Sequence, residues 1–426
     1  MHYSLTELPN GLRVITVPME DRASSGVAIW VRAGARFETQ KISGVSHFLE
    51  HMLFKGTKKR TTRQIKEEVE GVGGMLNAFT GEESTCYFSK ILTEHSAKAM
   101  DVLADMVNHA TMVPKEYNKE KTVILEEIKM YHDLPSHHVH DLVGELLWPK
   151  QPLGRPIAGT LETASGITRS QMVAYKLKHY HPRNFVVTVS GGVKHSEILA
   201  LAKDMFPQSS KLQVSKFEKA ISKQTKPKTD FLEKKIEQTH FVIGFHGLAR
   251  FHPDRYKLGL MNVILGSNMS SRLFEEVREK RGLAYEIRSG VSFYQDAGSV
   301  TVSAGVDTAK TSMAVTVILK ELSKMCTAKV TEGELRRAKD YFMSQLYMAL
   351  EDTLDHLLWV GERVLDGGQM PETEKIREKI ESVTRADIQE VARQIFKTPH
   401  ANLALIGPVP QKVQDSNKKD FELPGR

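Results

Sequence analysis

NFVVTVSGGV (184–193) and ANLALIGPV (401–409) are two versions of one segment, an apolar run that closes on a glycine turn. Each reads as a buried strand, because four to eight apolar residues rich in Val, Ile and Leu and bounded by turn residues fit a strand covered on both faces. Working outward, the chain ahead of each copy follows one order of strand, helix, helix, hairpin and long helices. In the first half YSLTEL and LRVITVP flank the turn signal PNG, and SGVAIWVRAGARFE alternates through Val27, Ile29 and Val31. The period then lengthens in GVSHFLEHMLFKG, a helix closed at Gly56, and in RQIKEEVEGVG. GGMLNAFTGEESTCYFSKIL is strand, turn, strand. Two long helices follow, one expected to stop at Pro114 and the next at Pro135.

In the second half KKIEQTHFVIGFHGLAR, DRYKLGLMNVILG, SSRLFEEVREKRG and LAYEIRSGVSFYQDAGSVTVSAGV repeat that order ahead of helices over 309–325 and 332–365. The expectation is an α+β protein made by duplication: two homologous α/β-sandwich-like domains, each a mostly antiparallel sheet packed with helices. The Lys-rich, weakly periodic stretch 208–232 is the expected linker, dividing the chain into domains at 1–207 and 233–426.

Composition bounds the function. The 426 residues are 40% hydrophobic and 26% charged, with a formal net charge of +7. The basic residues are mixed with acidic ones and form no aromatic-interleaved stripe, so no nucleic-acid partner is expected. No run of eighteen apolar residues occurs, so no membrane span is expected. Cys86 and Cys326 lie far apart in no paired spacing, which fits a reducing compartment. No basic segment followed by an apolar one opens the sequence, and a cytoplasmic location is the expectation.

One asymmetry between the two halves matters most. The first helix of the first half contains His47-Phe48-Leu49-Glu50-His51, and the second half has nothing like it. Helical residues four apart share a face, with Cβ atoms about 5–6 Å apart, so His47 and His51 can aim at one ion. Glu50 then lies beside that ion, placed to take a proton from an activated water. This inverts the commoner H-E-x-x-H order. A catalytic zinc needs a third protein ligand and an open position. The helix NKEKTVILEEIKMYHD offers Glu120, Glu126 and Glu127. Glu120 and Glu127 are two turns apart on one face, where one can ligate while the other holds a histidine; Glu126 points elsewhere.

HFLEHMLFKGT, GGMLNAFTGEESTCYF and EKTVILEEI together resemble the pitrilysin–insulinase family of inverted-motif zinc peptidases, in its shorter, processing-peptidase-like branch. PLGRPIAGTLETASGIT, HYHPRNFVVTVSGGV and SRLFEEVREKRGLAYEIRSG extend the resemblance over nearly the whole chain. It implies the fold shared by LuxS and the processing peptidases. It also implies one zinc ion per chain on His47, His51 and Glu127, with Glu50 as general base and Glu120 one heptad before the third ligand. MLNAFT is similar to the family's edge strand, where an extended substrate adds by backbone pairing at Asn77 and Ala78. Arg278 and Tyr285 keep the spacing of a pair that binds the substrate backbone and the developing oxyanion.

The expected function is that of a zinc metalloendopeptidase acting on peptides or unfolded segments. The resemblance is to enzymes built from four such domains, so a homodimer with a closed chamber is expected. A non-catalytic scaffold or binding subunit, or one half of a heteromeric processing peptidase, is the alternative. His132, His137, His138 and His140 crowd YHDLPSHHVHD, and they read as a solvated helix start.

Overall fold

A computed structural model describes residues 3–207, 212–368, 370, 372–408, 421 and 423. Among the described residues there are eleven strands: β1 (Ser4–Glu7), β2 (Arg13–Pro18), β3 (Ser24–Val31), β4 (Met75–Thr80), β5 (Thr85–Leu92), β6 (Phe185–Gly191), β7 (Lys228–Glu233), β8 (Gln238–His246), β9 (Ala284–Phe293), β10 (Gly298–Asp307) and β11 (Asn402–Gly407). They form a six-stranded sheet in the order β1-β2-β6-β3-β5-β4 and a five-stranded sheet in the order β7-β11-β8-β10-β9. Without β1 the two orders coincide. In each, one parallel pair, β2 with β6 and β7 with β11, adjoins antiparallel neighbours. The α+β expectation and the internal repeat are therefore met, with the segments 184–193 and 401–409 supplying the matching strands β6 and β11.

A single cut does not describe how the chain is divided. One compact unit comprises Met1–Lys129, Arg155–Glu218 and Leu346–Glu372; the other comprises Met130–Gly154, Lys219–Gln345 and Thr373–Arg426. Each half of the sequence thus gives one helix to the unit built mainly from the other half. The cause lies in the strands. Val27, Ile29 and Val31 of β3 face one apolar cluster with Phe48, Leu49, Met52 and Leu103. Ala28 and Trp30, from the opposite face of the same strand, join Val186 in another cluster with Leu357, Val360 and Val364. A strand apolar on both sides needs cover on both, and the helix Thr353–Leu365 provides the second cover. Gly361 lets it approach closely, since a Cβ there would lie 2.0 Å from the Trp30 indole nitrogen. In the other unit the helix Pro135–Leu147 does the same, seating Val139, Val143 and Leu147 against Val242, Ala404 and Ile406.

Several expectations are corrected. The stretch 332–365 is two helices, Glu332–Glu351 and Thr353–Leu365. Asp352 between them is extended and accepts the backbone N–H groups of Leu354 and Asp355, starting the second helix. Pro114 and Pro135 begin helices instead of stopping them, as suits a residue with no N–H to leave unsatisfied in a first turn. The expected linker 208–232 runs without regular structure over 212–227 but ends inside β7, whose strand pairs in parallel with β11; residues 208–211 lie outside the described residues. Among the described residues no helix is long and apolar enough to cross a membrane.

Leu357 is fully buried in the second cluster. Leu357→Ala should cost about 2–5 kcal/mol of stability, by lost transfer energy and the cavity left behind, measured as a lower urea midpoint at unchanged slope.

Candidate metal centre

The helix Val45–Leu53 buries Val45, Phe48, Leu49, Met52 and Leu53 and leaves His47, Glu50 and His51 on its other stripe. Its start has no side-chain cap from the preceding residue. Gly44 is left-handed (φ 95°) and lies so close to Ala158 that a Cβ would meet its carbonyl oxygen at 2.4 Å. The first turn is instead held by Glu38, a buried carboxylate that accepts the backbone N–H of Gly44 and of Ser46, both at 2.7 Å. The helix stops after Leu53, and Gly56 at φ 116° turns the chain away.

Facing it is the helix Pro114–Asp133, with Tyr117, Glu120, Ile124 and Ile128 buried along one stripe. Phe48 stacks on Tyr117 with ring centroids 5.1 Å apart, fixing one helix against the other. Glu127 then comes opposite both histidines. Its Oε1 lies 3.7 Å from His47 Nε2 and its Oε2 lies 3.6 Å from His51 Nε2. Those separations are too long for hydrogen bonds. They are close to the ~3.4 Å between two ligand atoms held about 2.1 Å from one tetrahedral ion. Among the described residues, His47, His51 and Glu127 are the one group of three whose ligand atoms all lie within 4.8 Å of one another. Two imidazole nitrogens and a carboxylate are a donor set suited to zinc, so the residues fit that ion.

Glu120 takes a different place. Only 3% exposed, it receives His51 Nδ1 at 2.9 Å on one oxygen and Lys55 Nζ at 2.7 Å on the other. A proton on Nδ1 donated to Glu120 leaves the lone pair of His51 on Nε2, turned to Glu127. Glu126 points outward and pairs with Lys129 at 2.7 Å. Glu50 sits beside the histidines with its Oε2 accepting from Thr80 Oγ1 at 2.6 Å.

The charges follow. Burial, with neighbouring His51, pushes His47 down to about 4, so it is neutral and able to ligate at physiological pH. For His51, burial works against the charge, but the bond to Glu120 and the carboxylates of Glu127 and Glu50 outweigh it and raise the group. Burial raises the Glu50 carboxyl above its ordinary range, opposed by the Thr80 bond and by His51, a shift suited to a proton acceptor.

β4 is the sheet edge next to this helix, paired on one side with β5. Asn77 is exposed and accepts the N–H of Ala78 on its own side chain; Ala78 is half-buried against the core. Arg278 and Tyr285 belong to the other unit. Tyr285 is 80% exposed, and the Arg278 guanidinium lies 4.7 Å from the centres of both the Tyr285 and Phe274 rings. His132 and His138 stack with centroids 4.5 Å apart. Sequence reasoning missed Glu38, Lys55 and Thr80. Their signals were slight: a glutamate six residues before a glycine, a lysine one turn past His51, and a threonine in strand register with Ala78.

The sequence profile of the Insulinase family (Peptidase family M16) matches residues 13–161, and that of the Peptidase M16 inactive domain matches residues 166–342. An uncharacterized zinc protease of Bacillus subtilis is 37% identical over 402 residues, spanning 94% of this chain and 97% of its own. Another, from Rickettsia felis, is 35% identical over 408 residues, 96% and 98% of the two chains. Among solved structures, a protease from Helicobacter pylori superposes with a TM-score of 0.88 at 23% identity, covering 96% of this chain and 99% of that one. Complex III2 from Candida albicans contains a chain similar at TM-score 0.84 and 18% identity, covering 98% and 99%.

Two outcomes are expected. Glu120→Ala should weaken zinc binding about 10–100-fold, as removal of a carboxylate behind a ligand histidine does, measured by chelator competition. Burial pushes the Glu38 carboxyl up to about 7 against its two N–H bonds. Between its ordinary value and 7 the folded chain therefore binds the proton that the unfolded chain releases. Stability relative to Glu38→Gln should accordingly fall as pH rises through that window, read from urea midpoints at pH 5 and pH 8.

Proposed function

The chain belongs to the insulinase family of peptidases, M16, and from that premise we propose that it is a zinc-dependent metalloendopeptidase. The carrying observation is that His47, His51 and Glu127 converge from two helices with Glu50 on the same stripe. In this reading His47, His51 and Glu127 hold one zinc per chain, and Glu120 keeps His51 in its ligating tautomer. Bound there, zinc supplies Lewis acidity, polarising a scissile carbonyl and making a water more acidic. Glu50 accepts that water's proton and later delivers it to the leaving amine. An extended peptide pairs along the free edge of β4, at Asn77 and Ala78. Arg278 and Tyr285 are donors for the substrate backbone and the oxyanion.

The same reading makes the protein a homodimer, whose second copy brings its Arg278 and Tyr285 to the first copy's zinc. Substrates are peptides or unfolded segments that enter the resulting chamber. A reducing, cytoplasmic setting accords with two buried cysteines, Cys86 and Cys326, far apart in the sequence. A non-catalytic subunit is the second reading, favoured by the match of residues 166–342 to the Peptidase M16 inactive domain.

Glu50→Gln separates the two. Wild type and variant should each carry about one zinc, while cleavage of a peptide library falls about 10²–10⁴-fold in the variant. Zinc in both with cleavage by neither supports the non-catalytic subunit; a wild type without divalent metal removes the metal reading altogether.

A further inference from the structure

We propose that Thr80 is a positioning residue for the base: its hydroxyl holds one oxygen of Glu50 and so turns the other towards the water. The inference rests on the reading of Glu50 as base. It begins from the contact itself, Thr80 Oγ1 to Glu50 Oε2 at 2.6 Å, in the range of a hydroxyl donating to a carboxylate.

The direction of that donation is set by the neighbours. Thr85 Oγ1, 3.5 Å from Thr80 Oγ1, gives its own proton to the Ala33 carbonyl at 2.9 Å. The Thr80 proton is left for Glu50. A carboxylate with one oxygen occupied in this way keeps the other for proton transfer, and rotation about its terminal torsion is stopped.

Position follows from the strand. Side chains alternate along β4, so Leu76, Ala78 and Thr80 turn to the core that holds the helix Val45–Leu53, while Phe79 packs on Trp30 on the opposite face. Thr80 pairs with Thr85 at the last register position, and the Gly81 N–H to Ser84 carbonyl bond closes the turn beyond it. A β-branched side chain at such a point has little χ1 freedom. The residue that fixes the base is thus part of the strand that pairs with substrate, two residues from Ala78.

Thr80→Val keeps the shape and removes the donor; Thr80→Ser keeps the donor. Zinc content and KM of the valine variant should stay within about twofold of wild type. Its kcat should fall about 10–100-fold, the scale of a misplaced catalytic group, and serine should restore most of that loss. An unchanged kcat, a raised KM with kcat intact, or lost zinc each overturns the proposal. Crystal structures give a readout without turnover: the Glu50 carboxylate should leave its wild-type place in Thr80→Val and keep it in Thr80→Ser. An unmoved carboxylate in the valine variant overturns the proposal even if no cleavable peptide is found. A wild type that binds zinc and cuts nothing counts against the peptidase reading alone.

Discussion

The stack of Phe48 on Tyr117 is the contact on which the site depends. His47 and His51 belong to a helix of nine residues, and Glu127 lies seventy-six residues on from His51 in another. Nothing local brings them together. Two buried rings, with Leu49, Met52, Ile124 and Ile128 in the same core, hold the helices at one spacing. Close-packed interiors allow little adjustment of such a spacing. Apolar packing thus sets the separation between ligand atoms, and the polar groups only finish the aim.

Those polar groups form a graded series. Lys55 neutralises Glu120, Glu120 orients His51, and His51 with His47 faces Glu127. At the other end of the helix, Glu38 occupies N–H groups that its own turn leaves open. Each buried charge has a partner or a fixed dipole, which is the condition for burying it at all. Glu50 stands out because its hydrogen-bond partner is the neutral hydroxyl of Thr80, which leaves the carboxylate free to exchange a proton.

Much of this was legible in the sequence because it is periodic. The strand alternation, the spacing of four between the histidines and the spacing of seven between Glu120 and Glu127 are all properties of local geometry. The duplicated strands gave the architecture for the same reason. What was not legible depends on distant segments. Periodicity shows that Leu357 and Val143 sit on apolar faces, but not which sheet those faces meet. Pro114 and Pro135 look alike whether they end one helix or begin the next. β7 was hidden in lysines because an edge strand with one neighbour has little need of apolar residues on both faces. Glu38 and Thr80 act through single hydrogen bonds to residues distant in sequence, and a lone glutamate or threonine carries no pattern.

The exchange of helices bears on how the chain is made. When the last strand of the first sheet, Phe185–Gly191, leaves the ribosome, the helix that covers the outer face of that sheet has not been synthesised. Trp30, Ile15, Val17 and Val186 must wait with a bare apolar surface until residues 353–365 arrive. The helix Pro135–Leu147 is ready early but has no sheet to cover until β8 and β11 exist. Neither half can therefore mature first and serve as a finished template for its copy. The two repeats are one folding problem, settled only when residues 353–365 and the strand 402–407 have been made. In the interval, the bare face of the first sheet is a surface for chaperones to guard and for neighbouring nascent chains to find.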